Sequence, residues 1–120
     1  MRKHQRHGGT QARLDEEYRV LLNIEGKCLE PSDLFCRLVG YDRRELVGKP
    51  IDAVTAPNMI NIPKNLGVVL HFGLFQGLWM LLDRQGTQIL VRYESELLPD
   101  MSIEMRMEPI GGAYEGVSRR

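Results

Sequence analysis

This 120-residue chain predicts an α+β fold, an antiparallel sheet with one face in water and the other under short helices. Three patterns carry that expectation. From Thr87 to Leu97, Ile89, Val91, Tyr93, Ser95 and Leu97 alternate with Gln88, Arg92, Glu94 and Glu96. From Met101 to Glu108, four apolar residues alternate with Ser102, Glu104, Arg106 and Glu108. A period of two with polar residues on one side is the mark of a half-buried antiparallel strand. Ahead of these strands, Phe35 to Lys49 reads FCRLVGYDRRELVGK, two short helices hinged at Gly40. A hydrophobic content of 42% and a charged content of 27% are ordinary for one globular domain of this length.

Taken in order, residues 1–12 are a polar, basic tail, and the folded domain is placed at 13–110. A helical pattern begins near Thr10, with Leu14, Tyr18, Leu21 and Leu22 on one face. The helix is drawn from Gln11 to as far as Leu22, with an alternative in which it ends near Tyr18 and passes into a strand, Arg19 to Ile24. Glu25-Gly26-Lys27 is a turn, and Lys27 to Glu30 pairs back as a short second strand.

Ser32 and Asp33 then cap a helix whose apolar face holds Leu34, Phe35, Leu38 and Val39. Gly40 ends it, at a position where a left-handed backbone is cheap only for glycine. Asp42 opens the next helix, with Glu45 three residues on in a capping-box relation. Gly48 and Pro50 close it. Pro50 to Val54 is a further short helical or turn piece. A longer helix runs from about Pro63 to Phe75 and is apolar nearly all round. Leu78 to Asp83 is a strand, Arg84-Gln85-Gly86 a turn, and the two alternating strands follow. Residues 111–120 form a second tail.

Charge and cysteine content exclude several classes. The formal net charge is +0, but residues 1–13 hold Arg2, Lys3, Arg6 and Arg13 and no acid. A solvated basic tail is the reading of that segment, with no nucleic-acid and no membrane partner. Cys28 and Cys36 are too few for a disulfide framework and fit no zinc spacing, so they read as small buried hydrophobes. The basic N-terminus lacks an apolar core of a signal peptide, and no apolar run approaches a membrane span, so a cytoplasmic location is expected. Asp33 with Glu45, or His71 with Asp83, are nameable acid–base pairs that no spacing supports, and no glycine-rich phosphate loop is present. The chain reads as a non-enzyme.

The segment FCRLVGYDRRELVGKP, Phe35 to Pro50, resembles the F-x-x-L-x-G-Y-x-x-x-E-L-x-G-K core of the PAS family of sensory and dimerisation modules. GLWMLLDRQGTQILV, Gly77 to Val91, is similar to that family's strand–turn–strand. The resemblance spans about Arg19 to Glu108. Ser32-Asp33 stands where many relatives have Asn-Pro, and Gln85-Gly86 where Asp-Gly is usual. What the resemblance implies is a five-stranded antiparallel sheet, a cleft between sheet and helices where small ligands bind, and signal output through the sheet or a flanking helix. Phe35, Leu38, Leu70, His71, Phe75, Trp79, Met80 and Met105 are the pocket candidates.

Two cofactors of such modules are weighed on this chain's residues. A flavin–cysteine adduct needs a cysteine after the helical connector, and Ile51 to Phe75 contains none. Haem binding would use His71 as axial ligand, with Leu70, Phe72, Leu74 and Phe75 as apolar walls. Met80, Met101, Met105 and Met107 are a soft stripe that reads first as core. The function expected is a sensory or signalling module that binds a small ligand or a partner protein and relays the signal through dimerisation. The alternatives are a haem sensor built on His71 and a ligand-free homodimerisation domain. The expected partners are a second copy, touching through Leu14, Tyr18 and Leu21, and a kinase or regulator in trans or in a longer chain.

Overall fold

Nine elements follow one another in the computed structural model, which describes residues 17–57 and 62–110. Strands β1 (Tyr18–Leu22) and β2 (Cys28–Pro31) come first, then helices α1 (Asp33–Val39) and α2 (Arg43–Leu46). A 3-10 helix (Ile51–Val54) and helix α3 (Ile62–Phe72) precede β3 (Leu74–Leu82), β4 (Gln88–Leu97) and β5 (Ile103–Pro109). The strands form one antiparallel sheet in the order β2-β1-β5-β4-β3.

Alternation decides what the sheet buries. Val20 and Leu22, Trp79 and Leu81, Ile89, Val91 and Tyr93, and Ile103, Met105 and Met107 fill one face. Phe35 and Val39 from α1, Leu46 from α2, Ile51 and Val54 from the 3-10 helix, and Val69 from α3 close over it. The opposite face carries Arg19, Glu94, Glu96, Glu104 and Arg106. Arg106 meets Glu94 at 3.0 Å and Glu96 at 3.4 Å, and also pairs with Glu104, which Arg19 contacts from the other side. The register builds these as cross-strand charge pairs: Glu94 lies opposite Arg106.

The first hairpin has a bulge. Leu21 pairs with Glu30 and Leu22 with Cys28, so Leu29 is the extra residue on β2. The bulge lets Cys28 and Pro31 both turn to the buried side. It also corrects the expected helix from Gln11 to Leu22. Tyr18 to Leu22 is strand, held by β2 on one side and β5 on the other. Tyr18 packs against the core, whereas Leu21 sits on a strand position of opposite parity, so the two do not share one face as they would on a helix. Leu14, both tails and the start of that helix lie outside the described residues.

The helical connector is built as its sequence suggests. Ser32 Oγ accepts the Phe35 N–H at 3.1 Å, capping α1. Gly40, at φ 79°, ends α1 and donates its N–H to the Cys36 carbonyl at 2.8 Å. The Glu45 carboxylate accepts the Asp42 N–H at 2.9 Å. Two ties escape a local reading. Ser32 Oγ also accepts the Arg19 N–H at 3.0 Å, joining α1 to β1. Arg84, in the β3–β4 turn, donates its N–H to Val39 and its Nε to the Gly40 carbonyl at 2.9 Å, pairs with Glu45, and lies 4.6 Å over the Tyr41 ring. Met101 belongs to the turn before β5, at φ 74°, and not to the buried methionine stripe.

Candidate functional site

The inner face of β3 and β4 carries an aromatic group under the helices. Trp79 is buried, with its ring 6.4 Å from Phe35 and 23° from parallel. Tyr93 meets Trp79 edge-on at 5.8 Å and 68°, and Phe75 at 5.9 Å. Offset and edge-to-face contacts at these spacings are the favoured geometries of aromatic pairs. The polar end of the indole is fixed: Trp79 Nε1 donates to Thr55 Oγ1 at 3.0 Å, and Thr55 Oγ1 donates in turn to the Ile51 carbonyl at 2.9 Å. The Ser95 hydroxyl is buried beside Phe75. The result is an apolar wall with two hydroxyls set into it. It runs from fully buried at Trp79 to partly buried at Phe75.

Of the pocket candidates, Phe35, Trp79 and Met105 are buried and Leu38 and Phe75 pack partly buried against them. Met80 is placed otherwise. Adjacent strand residues point to opposite faces, so with Trp79 inward Met80 lies on the outer face, paired across from Leu90. Leu70 and His71 also stand away from the aromatic group. Val69 is the buried residue of α3, and the next two positions turn about 100° and 200° round the helix axis. Leu70 is 38% exposed, and His71 is exposed with its ring edge-on to Phe72, which is 73% exposed. An axial haem ligand needs an enclosed apolar chamber, and these residues form none, so haem does not fit at His71.

Other chemistry-bearing residues make structural contacts. Asp33 pairs with Arg43 and Glu45 with Arg84. Asp83 Oδ1 accepts the Gln85 and Thr87 N–H groups in the β3–β4 turn, a whole strand away from His71. Arg84 holds the Glu45 carboxyl below its usual range, helped by the Asp42 N–H. Arg106 does the same for Glu94. Burial pushes the Cys28 thiol up to about 11, and burial also raises Cys36; both are free thiols. Among the described residues no group of three or more His, Cys, Asp or Glu side chains is placed to hold a metal ion. No helix among them is long and apolar enough to cross a membrane.

Thr55 is the site residue that sequence reasoning missed. It lies just past the short Pro50–Val54 piece with no pattern of its own, and only the 3-10 helix brings it to the indole. Tyr93 and Ser95, by contrast, were on the inward register of β4 from the alternation alone.

No protein-family model matches the chain, and a comparison with curated proteins gives no match. Solved structures do match. The PAS domain of the Cronobacter turicensis RpfR quorum-sensing receptor in complex with BDSF superposes with a TM-score of 0.69 at 15% identity, over 78% of this chain and 93% of that one. The chain has the PAS fold. A domain of a sensory box sensor histidine kinase/response regulator from Geobacter sulfurreducens gives 0.70 at 17% identity, over 88% and 97%. The PAS domain of the fruit-fly ELK potassium channel gives 0.70 at 13% identity, over 91% and 98%. The five-stranded order and the helices over one face are therefore those of PAS domains, reached through a sequence that shares few residues with them.

Proposed function

We propose that this PAS-fold chain is a non-catalytic sensory or signalling module whose aromatic wall takes a small apolar or mixed ligand, and whose response is relayed through dimerisation to a partner protein. The observation that carries the reading is the Phe35–Trp79–Tyr93–Phe75 group between sheet and helices, with the Thr55 and Ser95 hydroxyls as its polar points. Ligand pockets are mostly apolar and aromatic with a few placed polar groups, and this wall has that make-up. Phe35, Leu38, Phe75, Trp79 and Met105 are the residues proposed to face the ligand. The module is assigned to 13–110, between the tails 1–12 and 111–120, in a cytoplasmic setting. Its output passes to a kinase or regulator, in trans or in a longer chain. The RpfR PAS domain has been solved with BDSF and with C12:0, which supports an apolar ligand as the first class to test.

Trp79 is the sole tryptophan, so its fluorescence reports this wall and nothing else. Titration with C12:0 and with shorter and aromatic acids is expected to shift the emission saturably. Native mass spectrometry of freshly purified protein is expected to show a small molecule that leaves on denaturation. A flat titration together with a bare mass would overturn the ligand reading and leave a ligand-free dimerisation domain. A haem absorption band in protein from haem-supplied cells, lost in His71→Ala, would overturn the assignment of the site.

A further inference from the structure

The two sheet edges are finished differently. On β2, the Cys28 N–H donates to the Lys49 carbonyl at 2.8 Å and the Gly48 N–H to the Cys28 carbonyl at 2.7 Å, so the connector covers that edge. On β3, the far half is covered too: Thr55 bridges Leu81, and the Ala56 N–H donates to the Met80 carbonyl at 2.9 Å. Among the described residues, none covers the near half. Gly73 accepts from the Leu97 N–H, which fixes the phase of the β3–β4 ladder. Phe75, Gly77 and Trp79 therefore exchange main-chain bonds with β4, while Leu74, Gln76 and Leu78 turn theirs outward. Those outward groups have no main-chain partner among the described residues.

Among the described residues nothing blunts this edge. Phe72 to Leu82 reads FGLFQGLWMLL, with no charge and no proline. Phe72 is 73% exposed, Leu74 46% and Leu78 54%. Natural edge strands are protected by charges, prolines, bulges or a covering segment, and an exposed apolar one is a template for another strand.

We infer that the Leu74–Leu78 edge pairs antiparallel with the same edge of a second copy, joining two five-stranded sheets into one across a two-fold axis at Gln76. The strand complements itself. With Gln76 opposite its own copy, Leu74 falls opposite Leu78 of the other chain and Leu78 opposite Leu74. All three are outward-bonding positions, so each pair exchanges both of its main-chain hydrogen bonds. Any other in-phase antiparallel shift either pairs fewer of these three positions or brings in Phe72 at the helix end or Met80, whose carbonyl is already taken. The uncharged strand carries no like-charge penalty for meeting itself. The covered far half stops the pairing at Leu78.

This inference rests on the dimerisation reading above and moves its surface from the expected Leu14, Tyr18 and Leu21 to the β3 edge, because Tyr18 packs against the core and Leu21 lies on the opposite face of β1. The axis residue gives the test. In the paired state two Gln76 side chains sit on the same face with Cα atoms about 5.5 Å apart. Gln76→Lys and Gln76→Glu each place like charges there. Gln76 is exposed on the monomer, but its amide donates to Glu94, opposite it on β4, at 3.4 Å. Gln76→Lys keeps a favourable partner there and is expected to hold the wild-type melting temperature within a few degrees. Gln76→Glu faces Glu94 and is expected to melt lower while staying folded. Sedimentation equilibrium is expected to show a wild-type dimer, a dissociation constant raised at least fivefold in each variant alone, and recovery in an equimolar mixture of the two. A wild-type dimer that both variants leave unchanged would overturn the edge pairing while dimerisation stands. A wild-type monomer at every concentration would overturn both, and would leave the ligand assignment to its own titration.

Discussion

Thr55 shows how one side chain holds a site that its neighbours in sequence do not announce. Its hydroxyl is the acceptor for a buried indole N–H, the acceptor found for Trp79 among the described residues. Thr55→Val keeps the shape and removes the acceptor, leaving a buried donor unpaired. The expected loss is about 1–3 kcal/mol in urea unfolding at an unchanged denaturant slope. Thr55→Ser is expected to stay much closer to wild type. The neighbouring error in reading the sequence has a physical cause as well. Leu78-Trp79-Met80-Leu81-Leu82 is apolar at every position, so its alternation is invisible, and Trp79 and Met80 look equivalent until the β3–β4 register separates them.

At the scale of elements, the α1–α2 connector was legible because caps are local. Ser32, Gly40 and the Asp42–Glu45 pair each act within a few residues. What the connector docks against was not legible, because Arg84 arrives from a turn far along the chain. Gly40 is the position where both meet: its backbone is left-handed, and a Cβ there would stand 3.4 Å from the Arg84 Cβ. Gly40→Ala is expected to cost about 1–2 kcal/mol from backbone conformation alone. Arg84→Ala removes the bond to the Gly40 carbonyl and the contact with the Tyr41 ring. Because the two substitutions share that contact, a double-mutant cycle in chemical denaturation is expected to give a non-zero coupling; strict additivity would show that the turn and the connector are independent. The strands were read from alternation wherever one face is charged. The first hairpin was found within two residues of its ends, while its bulge, which depends on pairing with β1, was not.

For the molecule as a whole, the order of elements and the division into a covered and a charged sheet face followed from sequence, and the identity of the buried cleft residues followed only in part. The charged face and the connector share a pH signature. Arg106 lowers the Glu94 carboxyl, and Arg84 lowers Glu45, relative to an ordinary glutamate. A carboxyl depressed in the folded state adds stability that is complete above its unfolded value, about 4.3, and is lost as pH falls through the lower folded value. The melting temperature is therefore expected to hold near neutrality and to fall progressively below about pH 4.5. Glu94→Gln should make the acid limb shallower. These groups are largely exposed, so added salt should weaken the effect.

The strand order also sets a schedule for making the molecule. β1 lies between β2 and β5, the earliest and the latest partners available to it. On a ribosome the first hairpin can close early, but the other side of β1 waits until residues 103–109 have emerged. At about 5–20 residues per second, that wait is roughly 4–16 s. Throughout it the nascent chain presents Val20 and Leu22 on a strand paired along one side only. Chaperone capture of ribosome-bound chains should thus be strongest before β5 appears and end abruptly once it does.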